Sequence, residues 1–382
     1  MKNALIIAIV TAICAITIAI GGDKGMSLVE ADTHAEDMWK EAQEANKAKL
    51  SAMWESRCMK YGEYSMPFDV KVYGEAPKKG RSLYISMHGG GNVPAQVNNQ
   101  QWNNQKLLYQ PAEGVYIAPR AAVDDWNMWF RPHIDTLFAM LIQSAVAELD
   151  VNPNKVYLLG YSAGGDGVYR MAPRLADHWA AASMMAGHPG EASPLNLRNI
   201  GYMVWMGEND SAYNRNVLAV EYGKKMDSLY NEDPKGYIHQ TNIVKGCGHW
   251  MNRVDTAAIS WLKEFKREPY PTKVVWRQES SNLRDCFYYL QVPIEEAAPG
   301  KELIVEYDGH TFNIIKSDYK NFSILLNDKM VNLSKKVIVT HNGQVIFKGK
   351  VARDVNIMKE SIEKRMDPEY IFYAKINIAM PK

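Results

Sequence analysis

Cysteine is scarce in this chain, with four in 382 residues, and Cys14 sits inside an apolar N-terminal run. Cys58, Cys247 and Cys286 follow it, an odd number that excludes a fully paired disulfide framework and leaves at least one thiol free or paired outside the chain. Neither sign of charge is in excess. Lys and Arg number 44 against 43 Asp and Glu, a formal net charge of +1, which gives no field to recruit nucleic acid or an anionic membrane. The sequence has no internal repeats and no low-complexity tract. Its nine histidines lack His-x-x-x-His or similar ligand spacing, so His133, His178, His188 and His239 read as structural, and neither a metal nor another cofactor is expected.

The chain is longer than one ordinary domain, and 47% hydrophobic residues suffice for a large core. Met1-Lys2-Asn3, the apolar run Ala4 to Ile20 and the small residues Ala19-Ile20-Gly21 read as an export signal over residues 1–22. A retained N-terminal anchor is the alternative, and no other membrane contact is expected. Residues 23–65 are expected to form a helical arm: Ala31 to Arg57 holds no Gly or Pro, and Met38, Trp39, Ala42, Leu50 and Trp54 make a loose apolar stripe. Strands and helices alternate over 66–268, which implies a mostly parallel sheet covered on both faces. Pro269 and Pro271 mark a linker at 269–273. Over 274–382 short alternating segments, with Asn342-Gly343 as a hairpin signal, predict a small C-terminal β-sandwich, interrupted by a helix at Asp354–Arg365. His310 and His341 in this tail read as turn or strand-edge residues. Contact between the two parts is expected to be modest, so that a chain ending near Lys266 would fold alone.

Chemistry concentrates in four loops. The apolar run Val156-Tyr157-Leu158-Leu159 leads into Gly160-Tyr161-Ser162-Ala163-Gly164 and then into a helix-compatible stretch. Gly-x-Ser-x-Gly between a strand and a helix is how a nucleophilic serine is raised at the top of a sheet, with the flanking glycines demanded by sterics. The pattern alone is weak evidence, but three partners occur in order. Strand Leu83–Met87 runs into His88-Gly89-Gly90-Gly91, whose Gly89 and Gly90 N–H groups, with that of Ala163, suit an oxyanion hole. Strand Gly201–Met206 leads to Glu208 and Asp210, and strand Thr241–Lys245 leads to Gly246-Cys247-Gly248-His249. Ser162, Asp210 and His249 thus follow the chain order of an α/β-hydrolase triad. Cys247 reads as a small filler of a tight loop.

From Leu83 to about Lys266 the sequence resembles secreted α/β-hydrolase esterases related to polyhydroxybutyrate depolymerases and to feruloyl and acetyl-xylan esterases. The residues that carry the resemblance are Met87 to Gly91, Trp126-Asn127-Met128-Trp129, Asp150 to Tyr157, the turn at Ser162, Ala186-Gly187-His188-Pro189 and Gly207-Glu208-Asn209-Asp210. It covers about half of the chain, and nothing comparable carries over to the tail. It implies a carboxylic ester hydrolase in which Ser162 attacks, His249 moves the proton and Asp210, favoured over Glu208, orients the imidazole. The expected partner is a small-molecule or glycan ester, and the expected location is the periplasm or the cell exterior. His88, Trp126, Trp129 and Trp250 are candidates for the substrate surface, with Trp102 more distant, and Arg120 and Arg131 are candidates to hold a substrate carboxylate. A serine peptidase of the prolyl-oligopeptidase kind shares the triad, but it normally carries a large N-terminal propeller for which about 60 residues leave no room. A non-catalytic binding protein on the same scaffold is the third reading.

Overall fold

The computed structural model describes residues 25–279 and 282–381. The expected export signal at 1–22 lies outside the described residues. Helix α1 (Leu28–Glu55) begins at a capping box, in which the Ser27 hydroxyl accepts the Glu30 N–H at 3.2 Å and the Glu30 carboxylate accepts the Ser27 N–H at 2.8 Å.

Beyond α1, the chain builds an eight-stranded sheet from β1 (Cys58–Tyr61), β2 (Tyr64–Tyr73), β3 (Arg81–Met87), β4 (Gly114–Pro119), β5 (Val151–Tyr161), β6 (Ala181–Met185), β7 (Gly201–Gly207) and β8 (His239–Val244). Their spatial order is β1-β2-β4-β3-β5-β6-β7-β8. The β1–β2 hairpin and the β2–β4 pair are antiparallel, and every pair from β4 through β3 to β8 is parallel. Alternation sorts side chains to two faces. On β5, Val156 and Leu158 pack with Ile134 and Phe138 of α3 (Pro132–Leu149) and Val168 of α4 (Ala163–Arg174). Tyr157 and Leu159 pack on the other side with Leu108 of α2 (Ala95–Leu108) and Leu262 of α6 (Ala258–Leu262). Helix α5 (Arg215–Glu232) covers β7 and β8. Both faces are therefore closed, as the near-continuous apolar strands require.

The tail forms two further sheets. One has four strands in the order β10-β11-β14-β17, from β10 (Cys286–Phe287), β11 (Leu290–Gln291), β14 (Asn321–Leu326) and β17 (Ala374–Ala379). The other has five in the order β16-β15-β13-β12-β9, from β9 (Lys273–Arg277), β12 (Glu302–Asp308), β13 (Thr311–Ser317), β15 (Val337–His341) and β16 (Gln344–Gly349). Helix α7 (Val355–Arg365) precedes β17. Strands β10 and β11 pair as a tight hairpin, because Tyr288 turns through a positive φ of 52°.

The junction between the two parts departs most from expectation. Asp177, fully buried after α4, accepts from the Arg365 guanidinium at 2.6 Å and lies 3.7 Å from that of Arg284. Burial alone would raise its pKa, but the guanidinium groups of Arg365 and Arg284 outweigh that and hold the carboxyl below the usual range. The Tyr370 ring stacks against both Arg365 and Arg267, at 4.1 and 4.9 Å, and Arg267 pairs with Asp367 at 2.6 Å. One hydrophobic cluster runs from Leu158 and Tyr169 through Trp276 and Phe287. Even the proline-flanked connection is fixed, since Tyr270 bonds Asn327 and the Glu369 carbonyl. Helix α1 spans the seam as well: Ala31 and Ala35 pack on Met358 and Ile362 of α7, while Asn46 donates to Gln143 of α3 at 3.1 Å. The contact joins apolar packing to buried ion pairs, which corrects the expectation of a modest contact between the two parts.

Candidate active site

Ser162, Asp210 and His249 lie just past the carboxyl ends of β5, β7 and β8, the edge of an open parallel sheet where ligands bind. Ser162 has φ 56° and ψ −120°, a strained conformation for a residue with a Cβ. Two close approaches enforce the turn. A Cβ on Gly160 would lie 2.1 Å from the Gly164 carbonyl oxygen, and one on Gly164 would lie 2.2 Å from that of Met87. The serine N–H donates to the Met185 carbonyl at 2.9 Å, which ties the turn to β6.

His249 bridges the other two. Its Nε2 lies 2.9 Å from Ser162 Oγ, and its Nδ1 lies 2.7 Å from Asp210 Oδ2. Asp210 is buried, with the Arg215 guanidinium 3.8 Å from its second oxygen. Glu208 does different work: its carboxylate accepts the Gly246 N–H at 2.9 Å and so fixes the turn that delivers the histidine. The β7 and β8 loops are laced together, Asn209 N–H donating to the Cys247 carbonyl at 2.8 Å, and a Cβ on Gly207 would lie 2.0 Å from the Gly248 carbonyl. The Cys247 sulfur accepts from the Asn252 side-chain amide at 3.8 Å, and the residue packs against the apolar cluster that holds Tyr161 and Met251.

Gly89 runs beside Ser162, its Cβ position 3.0 Å from Ser162 Cβ, and Gly89 and Gly90 line a cleft with Ser162 and His249. The loop is held from below by buried Asn98, whose Oδ1 accepts the Gly91 N–H at 3.0 Å and whose Nδ2 donates to the Gly91 carbonyl at 2.9 Å and to Asp124 at 2.7 Å. That helix was not read from the sequence, because α2 is built mostly of Asn and Gln, which give little apolar periodicity.

The candidate substrate residues divide. His88 and Trp129 are both fully buried and present no surface to a ligand, which corrects the expectation for these two. Burial pushes the His88 imidazole down to about 3, so it is neutral at ordinary pH. Its Nε2 accepts the Ala121 N–H at 3.1 Å, an arrangement that assigns the proton to Nδ1 for donation to the Gly89 carbonyl at 2.6 Å. The Trp129 indole N–H donates to the His88 carbonyl at 2.9 Å. Both residues support the glycine loop from beneath. Trp102 is likewise held, donating to the Ala118 carbonyl at 2.8 Å. Trp250 is 50% exposed and lines the cleft, whereas Trp126, 64% exposed, stands outside its lining against Phe130. Arg120 and Arg131 are engaged by Asp124 and Asp125.

The cleft measures about 710 Å³ and includes Gln101, Asn104 and Gln105 from α2. Asp166, on the first turn of α4, accepts the His188 N–H at 2.6 Å, and burial raises its carboxyl to about 6. Among the described residues, no group of three or more His, Cys, Asp or Glu is arranged to hold a metal, and no helix is long and apolar enough to cross a membrane. Such a site can deprotonate a serine through a carboxylate-oriented imidazole and offer main-chain donors to the oxyanion that forms.

No protein-family model matches the sequence, and no curated protein matches it. Solved structures do. A thermostable esterase is 20% identical, with a TM-score of 0.43 over 55% of this chain and 62% of that one, so the chain spans about three fifths of its length. A ferulic acid esterase is 17% identical, with a TM-score of 0.37 over 52% of this chain and 92% of its own. A carboxylesterase from Mesorhizobium loti is 15% identical, with a TM-score of 0.37 over 54% and 98%. The fold is read from the molecule itself: the strand order, the single antiparallel strand β2 and the sharp turn at Ser162 between β5 and α4 make the large sheet that of an α/β-hydrolase.

Proposed function

We propose that the chain is a serine carboxylic ester hydrolase. The observation that carries this is the position of His249, within hydrogen-bond reach of Ser162 Oγ on one side and Asp210 on the other. In this reading His249 Nε2 takes the serine proton as Oγ attacks the ester carbonyl. Asp210 keeps the proton on Nδ1 and balances the imidazolium charge. The N–H groups of Gly89, Gly90 and Ala163 receive the oxyanion. His249 then protonates the departing alcohol, leaving an acyl group on Ser162, and activates a water that hydrolyses it. No step requires a cofactor.

Acylated carbohydrates and small esters are the proposed substrates. The half-exposed Trp250 and the side-chain amides of Gln101, Asn104 and Gln105 support the carbohydrate part, since an aromatic face stacks on a sugar ring and amides match its hydroxyls. Export belongs to the same proposal and rests on the sequence of residues 1–22. The test is hydrolysis of a short-acyl aryl ester beside the matching anilide, by the parent and by Ser162→Ala. Ester turnover that falls about 10⁴–10⁶-fold in the variant, with the anilide much slower, supports the reading. Equal turnover in parent and variant would contradict it.

A further inference from the structure

Arg253 lines the cleft, four residues beyond His249, on a backbone held in an unusual shape. Asn252 and Arg253 both have positive φ, 52° and 66°, a conformation side chains with a Cβ resist. The Arg253 carbonyl accepts from both the Thr256 N–H, at 3.0 Å, and the Thr256 hydroxyl, at 2.7 Å, which locks the turn. One arm of its guanidinium donates to the Leu108 carbonyl at the end of α2, at 2.9 Å. The side chain thereby lines the same cleft as Ser162 and Trp250.

Its electrostatic setting is one-sided. No Asp or Glu lines the cleft, and among the described residues no carboxylate lies within ion-pair distance of Arg253. Asp255, the acidic group close enough to be influenced by it, is fully buried and accepts the Tyr109 hydroxyl at 2.6 Å. Arg120 and Arg131 differ, each being neutralised by an aspartate of its own loop. A guanidinium anchored through one nitrogen keeps further N–H donors in a planar fork that suits a carboxylate.

We propose that Arg253 makes this cleft selective for esters that carry a second group, a carboxylate, held by the guanidinium while Ser162 attacks the ester carbonyl. The proposal rests on the esterase reading and names the substrate class of that same site. Arg253 is exposed to solvent, so the selectivity is of moderate size, about tenfold in kcat/KM.

The test uses the full chain and two matched substrate pairs. In one, monomethyl adipate is set against the methyl ester of adipic monoamide, which puts the anion on the acyl side. In the other, 4-acetoxybenzoate is set against 4-acetoxybenzamide, which puts it on the alcohol side. The readout is the ratio of kcat/KM for the carboxylate over that for its amide. The expected ratio is about ten in at least one pair, shrinking as salt is raised, falling to about one in Arg253→Gln and lying between in Arg253→Lys. The salt series needs no variant and so covers the case in which Arg253→Gln fails to fold. A ratio near one for both pairs in the parent, or a ratio that Arg253→Gln leaves unchanged, would overturn the proposal and make Arg253 a strut for Leu108. Hydrolysis of neither amide-bearing nor carboxylate-bearing esters, with Ser162→Ala no different from the parent, would overturn the esterase reading itself.

Discussion

The Tyr161 hydroxyl donates to the main-chain carbonyl of His249 at 2.7 Å and accepts the Met251 N–H at 3.1 Å. The residue immediately before Ser162 thus grips the loop that carries His249, and its ring meets the imidazole edge-on at 6.0 Å between centroids. Strand β5 thereby fixes both the serine and the height of the histidine above it. Tyr161→Phe removes one oxygen and leaves a carbonyl and an N–H to find other partners. We expect it to cost about 1–3 kcal/mol in stability and to lower kcat roughly 5- to 50-fold with KM little changed. Denaturant melts and steady-state kinetics check both, and unchanged kcat would mean that the loop is held from elsewhere.

The two acids after β7 separate by what they touch. Asp210→Asn removes the charge that orients His249 and should lower turnover about 10³–10⁴-fold. Glu208→Gln keeps an oxygen for the Gly246 N–H and should cost about tenfold or less. Steady-state rates on one ester check the ranking, and the reverse order would contradict the geometry.

At the seam, Arg365→Ala leaves Asp177 buried with its main counter-charge gone. The expected loss is about 3–5 kcal/mol, measured by denaturant unfolding. A chain ending at Lys266 strands Asp177 and exposes the apolar surface that Trp276 and Phe287 cover, so it should not remain soluble and folded. A soluble, cooperatively melting product of that truncation would refute this.

Stability should also depend on pH through Glu279. Burial raises its carboxyl to about 7, against which Arg277, Arg174 and Arg170 act in the lowering direction. A folded pKa above the unfolded one means that the native state binds the extra proton. The stabilisation is full below the unfolded pKa of about 4.5 and is lost as pH rises through about 7. Glu279→Gln removes that loss, so its melting temperature relative to the parent should climb between about pH 5 and pH 8. A constant difference across that range would contradict the assignment.

What was legible in the sequence follows from how each piece is encoded. Each part of the site is a short strand that ends in a loop of Gly, Asp or His, so Ser162, Asp210, His249 and the Gly89-Gly90 loop could be read locally. The supports could not. Tyr161 acts on a backbone carbonyl 88 residues away, and Asn98 acts from a helix whose Asn and Gln residues carry no periodic signal. His88 and Trp129 were misread because loop position says nothing of burial, and both turn under the glycine loop. The two-sheet tail was visible in its alternating strands. Its seam was not, since the partners Asp177 and Arg365 stand 188 residues apart and single charges in a sequence do not announce a buried pair.

The central claim is that Ser162 is activated by His249 to attack an acyl centre. The most direct measurement is to treat the folded chain with an aryl fluorophosphonate and map the adduct by peptide mass spectrometry. The account predicts one covalent adduct per chain, on Ser162, formed far more slowly in His249→Ala and not at all in Ser162→Ala. No adduct on a folded parent chain, or an adduct on a residue other than Ser162, would contradict it.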